Sequence, residues 1–265
     1  MALGDFGTGT DEQKQVASAM MTHHQQSPFD IGITVGDNFY PVGMESLKDP
    51  RWQTWWEDVY GPMNLTFYAV LGNHDWYHFD SPAAEILYDG STSSWRMPAP
   101  YYTFTAGPIQ FFALDTQEVS AKQLRWLDEQ LQKSQSTWKV AFAHHPIFSD
   151  GYHGDNDTLK NQLLPVLKNR VDLYISGHEH DMQHLKSVDG VNFVISGGGG
   201  RELRPPRPTR RSLFAKEAHG FTILEAKATE LRIHLVGTDS KVMHEFTLQK
   251  AGAPLTKNAA PKPKP

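Results

Sequence analysis

Short apolar runs, rich in β-branched and aromatic residues, recur along the first two thirds of the chain. Runs of this length and composition are typical of buried β-strands. Each run is followed within two residues by Asp, Asn or His, so a buried strand is predicted to end in polar chemistry each time. The four predicted strands are Ile31–Val35, Phe67–Leu71, Trp138–Phe142 and Val171–Ser176.

Other segments have helical patterns of apolar and polar positions. The clearest begins at Ser120, where Ser120 and Gln123 have the spacing of a capping box, and Thr10 and Gln13 have the same spacing at the start of an earlier segment. A proline at position 165 lies inside the last of these segments, which is nevertheless predicted to be helical. The predicted helices are Thr10–Gln26, Pro50–Tyr60, Ser120–Gln135 and Asp157–Arg170.

Further short strands are predicted from period-two patterns and turn residues. Tyr101–Thr105 and Ile109–Asp115 are separated by Ala-Gly-Pro, which indicates a hairpin. The late strands are predicted near Gln183–Val188, Val191–Ser196, Phe221–Ala226, Leu231–Val236 and Val242–Leu248. Early strands that alternate with helices, followed by a late run of strands, predict an α/β (α+β) fold with two packed sheets and helices outside.

Five polar motifs carry the candidate chemistry. Four of them follow the predicted strands, and the first lies three residues from the N-terminus. Since strand ends of an α/β sheet meet at one edge, residues from separate motifs can converge there. The motifs are Gly4-Asp5-Phe6-Gly7, Gly36-Asp37-Asn38-Phe39-Tyr40, Gly72-Asn73-His74-Asp75, Ala143-His144-His145-Pro146 and Gly177-His178-Glu179-His180.

The donor atoms of these motifs suffice for two metal ions. One group has three potential anions and an imidazole, which suits a hard trivalent ion: Asp5, Asp37, Tyr40 and His180. The other has an amide and two imidazoles, with a shared carboxylate as bridge, and suits Zn, Mn or ferrous iron: Asn73, His144, His178 and Asp37. Two ions about 3.5–4 Å apart can activate a water and neutralise a phosphate.

Each candidate also has a simpler interpretation. A single Asp or Asn at a strand end is often a turn or helix cap, and Tyr40 is also compatible with apolar packing. His153, after the flexible stretch Ser149–Gly151, is compatible with a solvated loop. The basic segment from Arg201 to Arg211 is either a solvated loop or part of the rim of the site, where it would recruit anionic substrates.

With these motifs, the chain resembles the calcineurin-like metallophosphoesterases, and within them the purple acid phosphatases that include tartrate-resistant acid phosphatase. The resemblance runs from Gly4 to about Leu248, and Tyr40 marks the purple group, in which the equivalent tyrosinate binds Fe(III). It implies a four-layer αββα sandwich with Fe(III) in the first group of ligands. It also implies that His74 holds the substrate phosphate and protonates the leaving group, and that the protein is secreted or periplasmic.

The expected function is hydrolysis of phosphate monoesters. A hydroxide held at the metals would attack phosphorus in line, with Asp37 as bridge and with His74, helped by His153, as the proton donor. The expected partners are therefore a small phosphomonoester and its product, inorganic phosphate. Two alternatives remain open: a phosphodiesterase acting on cyclic nucleotides or phospholipid head groups, and a non-enzymatic metal-binding interaction module.

Composition adds limits to this interpretation. The chain has 265 residues, of which 39% are hydrophobic, so residues 1–250 are predicted to form one catalytic domain and 251–265 a disordered tail. A net charge of −5 disfavours nucleic acid, the absence of cysteine excludes disulfides, and no apolar run reaches the ~18 residues of a membrane span. We expect a monomer. Since only Met1–Leu3 precede the first motif, we also expect part of the first strand and an export signal to lie upstream.

Overall fold

The fold is built on β-strands that form two sheets. The computed structural model describes residues 1–250, and the predicted disordered tail, 251–265, lies outside them. Within the described range there are fourteen strands: β1 (Ala2–Leu3), β2 (Gly32–Thr34), β3 (Phe67–Tyr68), β4 (Trp95–Arg96), β5 (Tyr102–Ala106), β6 (Ile109–Ala113), β7 (Trp138–Phe142), β8 (Leu173–Ser176), β9 (Met182–Val188), β10 (Val191–Ser196), β11 (Ser212–Lys216), β12 (Gly220–Ala226), β13 (Glu230–Gly237) and β14 (Val242–Gln249).

Both sheets are mixed. The order in the first is β14-β13-β12-β1-β2-β3-β4, and in the second it is β11-β9-β10-β8-β7-β6-β5. In the first sheet β1 to β4 run parallel to one another, while β12 pairs antiparallel to β1. In the second sheet β6, β7, β8 and β10 are parallel. Because the parallel strands of each sheet end together, their following loops share one edge.

The two sheets pack face to face, with helices on both outer sides. Ile33 and Phe67 of the first sheet share a buried cluster with Val140 and Ile175 of the second. Outside the second sheet, a separate buried cluster joins strand residues to the helices between positions 121 and 167. The predicted two-sheet αββα architecture is therefore confirmed. The α-helices are α1 (Asp11–Gln26), α2 (Asp58–Tyr60), α3 (Ser81–Tyr88), α4 (Ala121–Lys133), α5 (Asp157–Gln162) and α6 (Leu164–Leu167).

The two predicted capping boxes have different outcomes. Ser120 Oγ accepts a hydrogen bond from the Gln123 backbone N–H (3.2 Å), which confirms the cap of α4. Thr10 is the N-cap residue of α1, as predicted, but its side chain makes no capping hydrogen bond, so the predicted capping box does not form. Gln13 is buried instead: its side-chain oxygen accepts from Gly9 N–H (2.8 Å) and its amide donates to the Trp55 carbonyl (2.8 Å). A tertiary contact has replaced the local one.

Other helix predictions need correction. Pro50–Tyr60 is not a uniform α-helix, since a π-helical segment, Trp52–Glu57, leads into α2. Asp157–Arg170 divides into α5 and α6 at Leu163, because Pro165 has no N–H to continue the ladder. The sequence patterns missed α3, β4 and β11; β11 is a half-buried strand at the edge of its sheet.

The first strand consists of Ala2–Leu3, inserted between β2 and β12. Ala2 pairs with Ile33 on one side and with Thr222 on the other, so Asp5 emerges beside the end of β2. Among the described residues, no helix combines the length and the apolar character needed to cross a bilayer.

Candidate metal centre

Polar residues that follow β1, β2, β3, β7 and β8 converge where these parallel strands end. Three of the strands belong to the first sheet and two to the second, so the cluster lies between the two sheets at one edge. All seven predicted metal ligands meet there: Asp5, Asp37, Tyr40, Asn73, His144, His178 and His180.

The first predicted group of ligands is compact. The Tyr40 hydroxyl lies 2.8 Å from Asp37 Oδ2 and 3.2 Å from Asp5 Oδ1. His180 Nε2 is 3.4 Å from the same hydroxyl and 3.6 Å from Asp5 Oδ1. The hydroxyl therefore points into the polar cluster and away from the apolar core.

The second predicted group surrounds the His144 ring. Its Nε2 is 3.0 Å from Asn73 Oδ1, 3.1 Å from His178 Nδ1 and 3.4 Å from Asp37 Oδ1. Asp37 thus faces the first group with one carboxylate oxygen and the second group with the other. This is the arrangement that a bridging carboxylate requires.

The backbone turns sharply at three of these residues. Asp5, Asp37 and His178 have positive φ values of 57°, 50° and 70°. The left-handed region costs a non-glycine residue about 1–3 kcal/mol, and such residues cluster at functional sites. Gly72 lies close by, and a Cβ at this position would be 2.2 Å from Asp37 N. Close backbone approach therefore brings the end of β3 against the end of β2.

Two of the imidazoles are oriented by backbone carbonyls. His144 Nδ1 lies 3.0 Å from the Val35 carbonyl oxygen, and His180 Nδ1 lies 2.7 Å from that of Glu202. A carbonyl oxygen only accepts, so each Nδ1–H donates and each Nε2 presents a lone pair to the cluster. Metal-binding histidines are commonly held in this way by their other nitrogen.

The charges at the cluster suit a bound cation. Burial, followed by the neighbouring Asp37 carboxylate, raises the pKa of Asp5 well above its usual range. Burial likewise raises the pKa of Asp37. Burial also lowers the pKa of His144 well below its usual range and lowers that of His180 to about 4, so both rings are neutral at neutral pH. Crowded oxygen atoms and neutral imidazoles fit metal ions, whose positive charge would offset the carboxylates.

His74 faces the cluster from the solvent side. Its Nδ1 lies 2.6 Å from the Pro41 carbonyl oxygen and therefore donates to it, while Nε2 lies 4.0 Å from Asp37 Oδ2. The ring also lies 4.5 Å from the Tyr40 ring, centroid to centroid. His74 is partly exposed, so its Nε2 is held at the boundary between the cluster and solvent.

His153, the second predicted proton donor, has both ring nitrogens engaged. Nδ1 lies 3.2 Å from Glu179 Oε2, and Nε2 lies 3.3 Å from Arg204 Nη1. Because a carboxylate accepts and a guanidinium donates, the ring donates from Nδ1 and accepts at Nε2. The ring stacks on His178, with centroids 4.0 Å apart. His153 thus contacts the cluster through a ring face.

Two residues near the cluster carry contacts that the sequence did not reveal. Glu179, between two predicted ligands, is fully buried and accepts hydrogen bonds from Ser149 Oγ (2.8 Å) and from the backbone N–H groups of residues 152–154. His145 Nδ1 lies 3.1 Å from Thr116 Oγ1, and its ring lies 4.6 Å from that of His178. His145 could ligate with His144 and His178, whose nitrogens lie within 4.8 Å of one another. In the sequence, only the position of His145 next to the predicted ligand His144 indicated that it lies near the cluster.

The basic segment from Arg201 to Arg211 lies against the cluster. Arg201 N–H donates to the Asp5 carbonyl (2.9 Å), and Arg204 N–H donates to the His180 carbonyl (3.0 Å). The Arg201 guanidinium carbon lies 4.9 Å from the Tyr40 ring centroid. The segment therefore forms part of the rim.

Comparison with known proteins gives the same picture. A family model described as calcineurin-like phosphoesterase matches residues 1–182. Purple acid phosphatase 7 of Arabidopsis thaliana is 30% identical over 289 residues, which cover 96% of this chain and 87% of that protein. Tartrate-resistant acid phosphatase type 5 of Sus scrofa is 28% identical over 295 residues, which cover 94% of this chain and 86% of that protein.

One similar solved structure bears a different description. It is described as "GAP50 the anchor in the inner membrane complex of Plasmodium", and it superposes on this chain with a TM-score of 0.84. The two sequences are 28% identical, and the match covers 94% of this chain and 87% of that one. The same fold and a similar degree of identity therefore occur in proteins named as phosphatases and in one described as an anchor.

Proposed function

The chain belongs to the calcineurin-like phosphoesterase family and, within it, to the purple and tartrate-resistant acid phosphatases, and we propose that it hydrolyses phosphate monoesters with two metal ions. The family implies a dinuclear centre. The observation that carries the proposal is the convergence of all seven predicted ligands, with Asp37 facing both groups through different oxygens.

We assign Fe(III) to the more acidic group and a divalent ion, Fe(II), Zn or Mn, to the other. The first site consists of Asp5, Asp37, Tyr40 and His180. The second consists of Asp37, Asn73, His144 and His178. Three anionic ligands favour the trivalent ion, and an amide with two imidazoles favours the divalent one. When bound, the two cations supply a water of lowered pKa and neutralise the phosphate charge.

His74 is the proposed proton donor to the leaving group. Its Nδ1–H donates to the Pro41 carbonyl, so the ring direction is fixed and Nε2 faces the centre. In the imidazolium form Nε2–H can protonate a departing alkoxide. We assign His153 a supporting part, since its nitrogens already contact Glu179 and Arg204.

Two measurements test the proposal. Purified protein loaded with iron and zinc should release phosphate from phenyl phosphate much faster than it cleaves bis(4-nitrophenyl) phosphate. Preferential cleavage of the bis-ester would instead support the alternative, a phosphodiesterase. The oxidised protein should also show a broad visible absorption that Tyr40→Phe removes while metal remains bound. A colourless enzyme that is active with zinc or manganese alone would refute the Fe(III) assignment. It would still be consistent with the proposed phosphatase activity.

The likeness to the described anchor supports a second candidate, a non-enzymatic interaction module. The intact set of predicted ligands and His74 favours the enzyme. A metal-loaded sample that binds two ions but releases no phosphate from any monoester would favour the module. From the resemblance to acid phosphatases we further propose a secreted or periplasmic monomer; cell fractionation and size-exclusion chromatography test these two points.

A further inference from the structure

Two arginines at the rim of the centre have no carboxylate partner. Among residues 1–250, neither Arg201 nor Arg204 forms a salt bridge. Arg211, at the end of the same segment, behaves differently: it lies 2.7 Å from both Asp150 Oδ1 and Asp155 Oδ1. Of the five arginines in the segment, only Arg211 has a carboxylate partner among the described residues, and Arg201 and Arg204 are the two whose guanidinium groups contact residues of the centre.

Both arginines are held in place by their backbones. Their N–H groups donate to the carbonyls of Asp5 and His180, two predicted metal ligands. Between them, the Glu202 carbonyl accepts from His180 Nδ1 at 2.7 Å. The three successive contacts attach the segment to the centre, so the two side chains start from fixed positions.

One guanidinium group contacts a predicted ligand directly, and the other reaches one through a single intervening side chain. Arg201 covers the Tyr40 ring at 4.9 Å. Arg204 contacts His153, whose ring stacks on His178, and also lies 5.3 Å from the ring centroid of the exposed Tyr152. The hydrogen bond to His153 is long, at 3.3 Å, and a stronger acceptor could replace it.

We propose that Arg201 and Arg204 form an anion subsite that selects phosphomonoesters with a second anionic group a few bonds from the phosphate. The inference rests on the proposed phosphatase function. A guanidinium binds carboxylate or phosphate through two parallel N–H donors. Since the chain has a net charge of −5, its overall field does not attract anions, and local unpaired arginines can. Because the two guanidinium groups contact Tyr40 and His153, beside the predicted ligands, an anionic group that they bind would lie near the phosphate.

A binding measurement tests the subsite without turnover. Calorimetry on the metal-loaded protein would compare phosphonoacetate with phosphonoacetamide, which lacks the carboxylate charge. The wild type should bind the acid more tightly, and Arg204→Gln and Arg201→Gln should each reduce that preference about ten-fold, the typical loss of one charge-assisted hydrogen bond. Arg210→Gln is the matched control, because it removes an exposed charge from the same segment and should leave the preference unchanged.

Turnover then separates this inference from the proposed function. The ratio of kcat/KM for phosphoglycolate to that for its amide should fall in both glutamine variants, and Arg204→Lys should give an intermediate ratio. Equal losses on the two substrates, or a ratio that Arg210→Gln lowers as much, would overturn the subsite. A wild-type protein that hydrolyses neither substrate but binds phosphonoacetate more tightly than phosphonoacetamide would contradict the proposed phosphatase activity and still support the anion subsite.

Discussion

Glu179 should act as a clamp for the loop that carries His153. Its Oε1 accepts from Ser149 Oγ (2.8 Å), His153 N–H (2.9 Å) and Gly154 N–H (3.2 Å), and Oε2 accepts from Tyr152 N–H (2.8 Å) and His153 Nδ1 (3.2 Å). Burial opposes ionisation of Glu179, but bonds from His153 and Ser149 outweigh it and lower its pKa. Glu179 is therefore expected to stay ionised in moderately acidic solution.

Glu179→Gln preserves the shape and removes part of this acceptor capacity. The amide nitrogen must replace one oxygen; in the Oε2 position it faces two donors, and in the Oε1 position it faces three. Each donor held against the buried side chain without an acceptor costs up to about 1–3 kcal/mol, so even the better orientation weakens the closed loop by roughly 2 kcal/mol or more. The loop can open to solvent, so we expect local unfolding ahead of global unfolding.

Hydrogen exchange measures this opening directly. The amides of residues 152–154 should exchange at least about thirty-fold faster in Glu179→Gln, the factor that corresponds to 2 kcal/mol. Glu129→Gln is the control, since Glu129 is exposed and its nearest cation, Lys133, is 3.9 Å away. If a folded Glu179→Gln protein exchanged these amides at the wild-type rate, the carboxylate would not hold the loop.

Three further predictions concern the N-cap of α4, the contact between His184 of β9 and His244 of β14, and the proposed proton donor His74. Ser120→Ala should lower the free energy of unfolding, measured with urea, by about 1 kcal/mol, because Gln123 N–H loses its acceptor. An unchanged free energy of unfolding would show that this cap does not stabilise the helix. Burial, and then His244, lowers the pKa of His184 to about 4. Its neutral form is favoured in the fold, so the unfolding free energy should fall by on the order of 3 kcal/mol as pH drops from 6.5 to 4, and His184→Gln should flatten that dependence. His74→Asn should lower kcat about 10²–10⁴-fold for alkyl phosphates and least for nitrophenyl phosphate; equal losses would exclude proton donation.

The fold and the grouping of candidate ligands followed from local patterns. Apolar runs predicted the strands, and the rule that parallel strands end at one edge predicted that their polar motifs would meet. The structure brings those motifs together from two sheets, which confirms the architecture. The assignment of individual residues such as Tyr40 to individual ions stays a prediction.

Features that depend on distant contacts could not be predicted. Nothing near Glu179 in the sequence indicates that its partners are 25–30 residues upstream. The capping box predicted at Thr10 did not form, because Gln13 makes a contact with Trp55, 42 residues away. The spacing of Arg201 and Arg204 likewise did not distinguish a solvated loop from a rim, because the distinction depends on backbone bonds to Asp5 and His180.

Metal titration measures whether the enzyme needs two ions. Protein stripped by a chelator would be titrated with iron and zinc while phosphate release from phenyl phosphate is followed. Activity should rise to a plateau at two ions per chain, and Asp37→Ala, which lacks the carboxylate facing both groups, should gain neither tight metal binding nor activity. Full activity in the stripped protein, or a plateau at one ion, would contradict a dinuclear phosphatase.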